Sequence, residues 1–326
     1  MLILAYAFSA LLVIGLSLKL SNYVDLLDKQ TNLSGAFLGG VLLAAVTSLP
    51  ELFTSISSVV FLDEPEMVVG NILGSNLFNV VALSFVSLLA FRLIKRRPVA
   101  DSHTQTVLFS LIIYALLALV AADIFHIYIF GVNIASILIL ILYIMGVKTL
   151  SGDEPAAESA AAADCTLTSR QILTRFAFLS LLLVLVSIGL TIVTDRLNRT
   201  YNLGASFAGA IFLGVATSLP ELVSTSQLVR LGNYNAACGN ILGSNLFNFI
   251  ILGIADFLYT AGTVYIFGYQ SLVLLGCGAV SCLTMLVFVS SNSWRMVQRK
   301  QPSAVKNFLL LLVGVLCYIL FLILTI

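Results

Sequence analysis

Residues 70–79 read Gly-Asn-Ile-Leu-Gly-Ser-Asn-Leu-Phe-Asn, and residues 239–248 repeat those ten without a change. A shorter run, Thr47-Ser-Leu-Pro-Glu-Leu52, returns as Thr217 to Leu222. The offsets are 169 and 170 residues, about half of the 326-residue chain. Ten identical consecutive residues do not arise from composition alone, so the chain carries an internal duplication. The surroundings of both runs are very apolar. The chain is 60% hydrophobic and 10% charged, with a mean hydropathy of +1.08. Soluble domains run at about 45–50% apolar and about 25% charged, and no soluble fold of this length could hide so much apolar side chain. A soluble enzyme, a disulfide scaffold and a disordered chain are therefore excluded. The net charge of +1 leaves no basic face for nucleic acid. The five cysteines are scattered, without a CxxC pair or a Cys/His cluster, and read as small packing residues.

A membrane-crossing helix needs about 20 mostly apolar residues. Ten such runs are present: 2–20, 33–60, 67–91, 105–122, 126–147, 172–194, 204–229, 234–258, 264–291 and 306–326. The first lacks the positively charged start of a signal peptide, since Lys19 lies at its far end, and is read as a span. The connector 151–171 is rich in Ala, Ser and acid and reads as a flexible linker. Sorted by alternate loops, fourteen of the sixteen basic residues fall on one side, and only Arg196 and Arg199 fall on the other. The positive-inside rule makes the fourteen-residue side cytoplasmic, with the linker, and puts both termini outside.

The repeat unit holds five spans, an odd number, so the second copy must cross the membrane in the opposite sense. The expected fold is an all-α polytopic membrane protein of ten transmembrane helices, arranged as two inverted five-helix repeats. The units are 1–150 and 172–326, joined by the 151–171 cytoplasmic linker. This plan belongs to secondary transporters, with the substrate site near the midplane where the repeats meet.

Glu51 and Glu221 are the most informative residues. Each lies well inside an apolar span, where an unpaired carboxylate costs several kcal/mol. It must face a partner, a cavity or an ion; the alternative is a hydrogen-bonded pair that only locks helices together. Thr47, Ser48, Thr54 and Ser55 are expected on the face of Glu51, and Thr217, Ser218, Ser224 and Thr225 on that of Glu221. Pro50 and Pro220 disturb the helix and free carbonyls one turn earlier, which is tolerated at membrane depth where the backbone lines a cavity or protein interior. Carboxylate, hydroxyl and carbonyl oxygens are hard ligands that suit Ca²⁺ or Na⁺. Each hydroxyl could instead bond back to its own helix. In the ten-residue run, Gly70 and Gly74, like Gly239 and Gly243, allow close helix approach. Asn71, Ser75 and Asn79, like Asn240, Ser244 and Asn248, form a polar stripe at spacings of four. Asp256 reads as interfacial, because its counterpart is Ser87. Asp63, Glu64 and Glu66 read as a solvated outer turn, His103 and His126 as bystanders, and Arg92 to Arg97 as a cytoplasmic anchor.

At these two motifs the chain resembles the cation/calcium exchanger superfamily, and specifically its prokaryotic sodium/calcium exchanger-like antiporters. Members have ten helices in two inverted halves, each with a TSxPE and a GSNxxN motif. The resemblance covers about 34–83 and 204–252 through the motifs and the rest through topology. It implies that Glu51 and Glu221 are the shared carboxylates of the central ion sites. It also implies that Thr47, Ser48, Thr217, Ser218, Ser75 and Ser244 supply backbone or hydroxyl oxygens, and that Asn79 and Asn248 supply the remaining ligands. Some members, including potassium-dependent ones, carry Asp where Asn248 stands. Here both copies have Asn, so the centre holds a formal −2, which balances one Ca²⁺, two Na⁺ or two protons. The linker has no room for the calcium-sensing domains of larger members.

The expected function is therefore secondary antiport: Ca²⁺ export driven by Na⁺ entering, through alternating access at one midplane site. The alternative within transporters is Ca²⁺/H⁺ (or other cation/proton) exchange, since burial disfavours the charged form of the two glutamates. A cation channel would use similar ligands without counter-ion dependence. No HExxH, GxSxG or paired intramembrane aspartates suggest an enzyme. The expected partners are Ca²⁺, a counter-ion (Na⁺ or H⁺) and the bilayer of a bacterial-type inner membrane. Neither a cofactor nor an obligate protein partner is expected.

Overall fold

The computed structural model describes residues 1–61, 63–91, 99–125, 127–129, 131–152, 167–201, 217–293 and 303–325. The basic run 92–97, His126, nearly all of the 151–171 linker, and residues 204–216 of the seventh apolar run lie outside the described residues. The described residues are almost entirely helical. It opens with α1 (Leu2–Gln30), followed by a segmented second span. That span is built from α2 (Gly35–Phe37), a π-helical stretch (Leu38–Leu43), α3 (Ala44–Thr47) and α4 (Leu49–Val60). Next come α5 (Pro65–Leu89) and α6 (Asp101–Ala121), then a hairpin of β1 (Tyr128–Ile129) and β2 (Val132–Asn133), then α7 (Ile134–Ser151). The second half contributes α8 (Ser169–Thr200), α9 (Leu219–Arg230), α10 (Tyr234–Leu258), α11 (Tyr269–Asn292) and α12 (Ala304–Thr325).

Among the described residues eight helices are long and apolar enough to cross a membrane, and the bent pair Gly35–Thr47 and Leu49–Val60 makes nine. Of the ten runs expected, the seventh, 204–229, is described only from Thr217 onward. Two boundaries differ from the sequence reading. The fifth apolar run is not helical in its first described part: Tyr128–Ile129 pairs with Val132–Asn133, Gly131 has φ +85°, and the helix starts at Ile134 behind an Asn133 cap. The run YIFGVN is apolar enough for lipid, but a positive φ and a cap both interrupt a helix. The first helix continues past 20 to Gln30, because its polar last turns pack on protein. Ser21 donates to Ser224 O (3.3 Å), and Asn233 donates to Asp25 (3.2 Å) and Asp28 (2.8 Å).

The helices carrying the ten-residue repeat, α5 and α10, are the most buried of the candidate spans, whereas α1, α7 and α12 lie at the periphery. Without a hydrophobic force between helices in lipid, close van der Waals packing must hold the bundle together. The closest packing is between the π-helical stretch and α10. A Cβ on Gly39 would strike the Ala236 carbonyl, and one on Gly243 would strike the Gly40 carbonyl. Backbone therefore lies directly on backbone there. At the centre, Phe249 is fully buried and meets Tyr114 edge to face, with ring centroids 5.2 Å apart.

Candidate cation site

Both short repeats carry a serine outside helical geometry at the same position, Ser48 (φ −93°, ψ 2°) and Ser218 (φ −98°, ψ 15°), and a twelve-residue helix follows each. Proline is the second residue of each new helix, where its missing N–H costs nothing. The axis bends by 41° at Ser48. Thr47 and Glu51 thus do not share one continuous helix face as their spacing of four suggested: Thr47 ends α3, and Glu51 sits in the first turn of α4. Glu221 occupies the matching turn of α9. Helix N-termini present unpaired N–H groups and a positive dipole end, which favour a carboxylate there even at membrane depth.

Glu51 and Glu221 are 2% and 1% exposed, and their carboxyls are near enough to interact electrostatically. Among the described residues neither is ion-paired with a Lys or Arg; the ion pair present there joins Lys29 to Asp25 (2.6 Å), at the end of α1. Hydroxyls surround the carboxyls instead. Ser48 donates to Glu221 Oε1 (3.3 Å), Ser75 of α5 faces Glu51, and Thr47 lies beside Glu221. Thr47 Oγ also bonds back to Leu43 O (3.1 Å) and Ala44 O (3.3 Å), and meets Ser244 Oγ at 3.4 Å. Ser244 in turn reaches Ala44 O at 3.4 Å. Ser218 is buried with no partner for its hydroxyl, and Thr217 beside it is half-buried.

Asn79 and Asn248 complete the expected set, and the structure explains their orientation through two residues absent from it. Asn79 donates to Asn245 Oδ1 (3.0 Å), and Asn248 donates to Asn76 Oδ1 (2.9 Å). Asn245 donates to Asn76 O (3.1 Å), and Asn76 returns the bond to Asn245 O (3.3 Å). The same four positions of the two repeats therefore clasp each other reciprocally across the α5–α10 contact. With both amide nitrogens of the outer pair engaged, the oxygens of Asn79 and Asn248 are left over. The buried acceptors without a donor include Asn79 Oδ1, Asn248 Oδ1, Glu51 Oε2 and Glu221 Oε2. Buried acceptors of this kind cost free energy unless a proton or a cation meets them. A second symmetric pair braces the broken helices: Asn71 donates to Ser55 (3.2 Å) and Asn240 to Thr225 (3.1 Å). Asn71 and Asn240 thus tie α5 to α4 and α10 to α9, while Thr54 bonds back to Pro50 O (2.9 Å). Cys and His take no part, and no cluster of three or more His, Cys, Asp or Glu is present among the described residues.

The remaining polar candidates lie elsewhere. Asp256, near the end of α10, is 1% exposed and accepts from Asn133 N (2.9 Å) and Ser136 (2.7 Å), at the start of α7. Its carboxylate anchors that helix's N-terminus. Asp63 accepts from Tyr259 (3.0 Å), linking the turn after α4 to the end of α10. That bond pushes the exposed Tyr259 phenol above its ordinary pKa, because ionising it would lose the bond and set it beside a carboxylate.

The sodium/calcium exchanger protein family matches residues 1–150 and 172–326. The chain belongs to that family. It is 24% identical over 274 residues to the inner membrane protein YrbG of Escherichia coli K12, covering 78% of this chain and 81% of that protein. Over 114 residues it is 34% identical to the sodium/calcium exchanger MaX1 of Methanosarcina acetivorans, covering 34% of this chain and 31% of the relative. Its fold is that of the solved sodium-calcium exchanger NCX_Mj, with a TM-score of 0.70, 19% identity and 98% of each chain covered. Membership in the sodium/calcium exchanger family makes the chain an integral membrane cation antiporter and a transporter rather than an enzyme.

Proposed function

We propose that this exchanger exports Ca²⁺ from the cytoplasm in exchange for Na⁺, at one midplane site formed by Glu51, Glu221, Asn79 and Asn248. Thr47, Ser48, Ser75, Thr217, Ser218 and Ser244 supply the surrounding hydroxyl or backbone oxygens. The observation that carries this reading is the set of four buried acceptor oxygens without donors, two carboxylate and two amide, from identical positions of a duplicated motif. Two carboxylates at the N-termini of broken helices form an anionic pocket that one divalent ion neutralises, and so do two monovalent ions. The same pocket empty and charged would cost several kcal/mol at membrane depth. Exchange then becomes obligatory: the site crosses loaded with one ion type or the other.

The reading includes ten spans in two inverted repeats, 1–150 and 172–326, with the connecting linker cytoplasmic and both termini outside. The reciprocal asparagine clasp and the matching geometry at Ser48 and Ser218 support the repeat, and the fourteen-to-two distribution of basic residues supports the orientation. A bacterial-type inner membrane suits the similarity to YrbG. Two halves exposing one site alternately to each side is the mechanism such a plan serves.

Ca²⁺/H⁺ exchange is the second reading. It is favoured by asparagine at both position 79 and position 248, which leaves only the two glutamates to carry charge. Reconstituted vesicles loaded with ⁴⁵Ca²⁺ and given a Na⁺ or a proton gradient separately decide between the two. Release driven by Na⁺ at clamped pH supports the first reading. Release driven only by protons replaces it with the second.

A further inference from the structure

We infer that the cleft between α1 and α8 binds the headgroup of an anionic phospholipid. The cleft has a volume of about 540 Å³ and is lined by Lys19 and Tyr23 of α1 and by Thr174, Arg175 and Phe178 of α8. Neither Lys19 nor Arg175 has an ion-pair partner among the described residues, so two cations line one cleft that no described acid neutralises. Asn22, on the same rim, is held by Gln227 of α9 (2.8 Å).

The position in the chain says what kind of anion fits. Lys19 stands at the end of the apolar run 2–20, and Arg175 near the start of the run 172–194. Both therefore lie where a helix leaves the hydrocarbon, on the side holding most of the basic residues. Phe178 is 63% exposed, and on from the two cations the helices present Leu11 and Phe8 on α1 and Leu181 and Leu185 on α8, all exposed. Gly15, one turn from Lys19, has nothing within 4 Å of where its side chain would be. This leaves a track along α1 for an acyl chain. A free phosphate would use the two cations and leave the apolar wall wet. A phospholipid satisfies both, with its phosphate between Lys19 and Arg175, the Tyr23 phenol at headgroup level and its chains on the wall. Because α1 and α8 are the first helices of the two halves, one lipid bound here bridges them. The inference is independent of which ions are exchanged.

The test uses the full chain, delipidated in a non-ionic detergent and titrated with phosphatidylglycerol or phosphatidylcholine, with retained lipid counted by native mass spectrometry. Phosphatidylglycerol should be preferred. Near a membrane surface each Lys or Arg contributes about 1 kcal/mol to anionic-lipid binding, or roughly fivefold. The preference should thus fall about fivefold in Lys19→Gln or Arg175→Gln and about 25-fold in the double variant. Arg230→Gln, an exposed cation outside the cleft, should leave it unchanged. High salt should weaken the preference in the unaltered protein, which tests the charge dependence without any substitution. Equal retention of the two lipids, or an undiminished preference in the double variant, overturns the inference. Displacement of the lipid by millimolar inorganic phosphate also overturns it, by assigning a free-anion site.

Discussion

Asn245→Ala removes no expected ion ligand, yet it should weaken Ca²⁺ binding. Asn245 accepts from the Asn79 amide at 3.0 Å and donates to Asn76 O at 3.1 Å. Losing two buried hydrogen bonds should destabilise the fold by about 1–2 kcal/mol, at about 0.6–1 kcal/mol for each in a membrane protein. The larger consequence falls on Asn79, whose oxygen faces the site only because its nitrogen is held. A freed side chain must be ordered again on binding, at about 0.5–1.5 kcal/mol. The half-saturating Ca²⁺ concentration should rise about 2- to 12-fold, with the maximal exchange rate little changed. The assay is initial ⁴⁵Ca²⁺ uptake into proteoliposomes over a Ca²⁺ series. The decisive comparison is the cycle with Asn79→Ala. If Asn245 acts by positioning Asn79, adding Asn245→Ala to Asn79→Ala should shift half-saturation no further. A full additional shift, or a fall in maximal rate with unaltered half-saturation, would refute the positioning argument. Asn76→Ala should behave alike through Asn248, to which it is bonded at 2.9 Å.

Three further outcomes follow from the packing. Gly243→Ala places a methyl on the Gly40 carbonyl and should destabilise the detergent-solubilised protein by about 1–3 kcal/mol; Gly15→Ala, with open space around it in a helix interior, should not lower the unfolding temperature. Asp256→Asn weakens the charge-assisted anchor on Asn133 and Ser136 and should lower stability by about 1–3 kcal/mol without changing half-saturation by Ca²⁺, as thermal unfolding and uptake measured together would show. Asn240→Ala removes the brace on Thr225 (3.1 Å), and uptake assays should show weaker Ca²⁺ binding as α9 loosens around Glu221.

The parts legible in the sequence are those that lipid does not explain. Hydrocarbon asks only for apolar side chains, so a glutamate, a proline and an asparagine stripe, each appearing twice, stand out against it and mark the site. The clasp was hidden by helical periodicity: Asn76 is one residue past Ser75 and so about 100° off the Asn71, Ser75, Asn79 stripe. It reads as a polar residue on the wrong face until α10 is placed opposite. The π-helical stretch was hidden for a similar reason. Gly39 and Gly40 signal close approach, but the backbone they touch, at Ala236 and Gly243, is distant in sequence. Hydropathy also cannot tell an apolar hairpin from an apolar helix, so the start of α7 was misplaced. The partners of Asp256, Asn133 and Ser136, are hidden in the same way, because they are supplied by the other half of the chain.

Exchange at this site depends on the two carboxylates, 2% and 1% exposed, carrying the transported charge. The most direct test is ⁴⁵Ca²⁺ flux into sealed vesicles under an outward Na⁺ gradient, for Glu51→Gln and Glu221→Gln separately, with the amount of folded protein in the membrane checked by gel filtration. Each substitution keeps the shape and removes one charge. Both variants should be folded and present in the membrane while exchange is abolished. Exchange retained at the rate of the unaltered protein in either one would contradict the central claim.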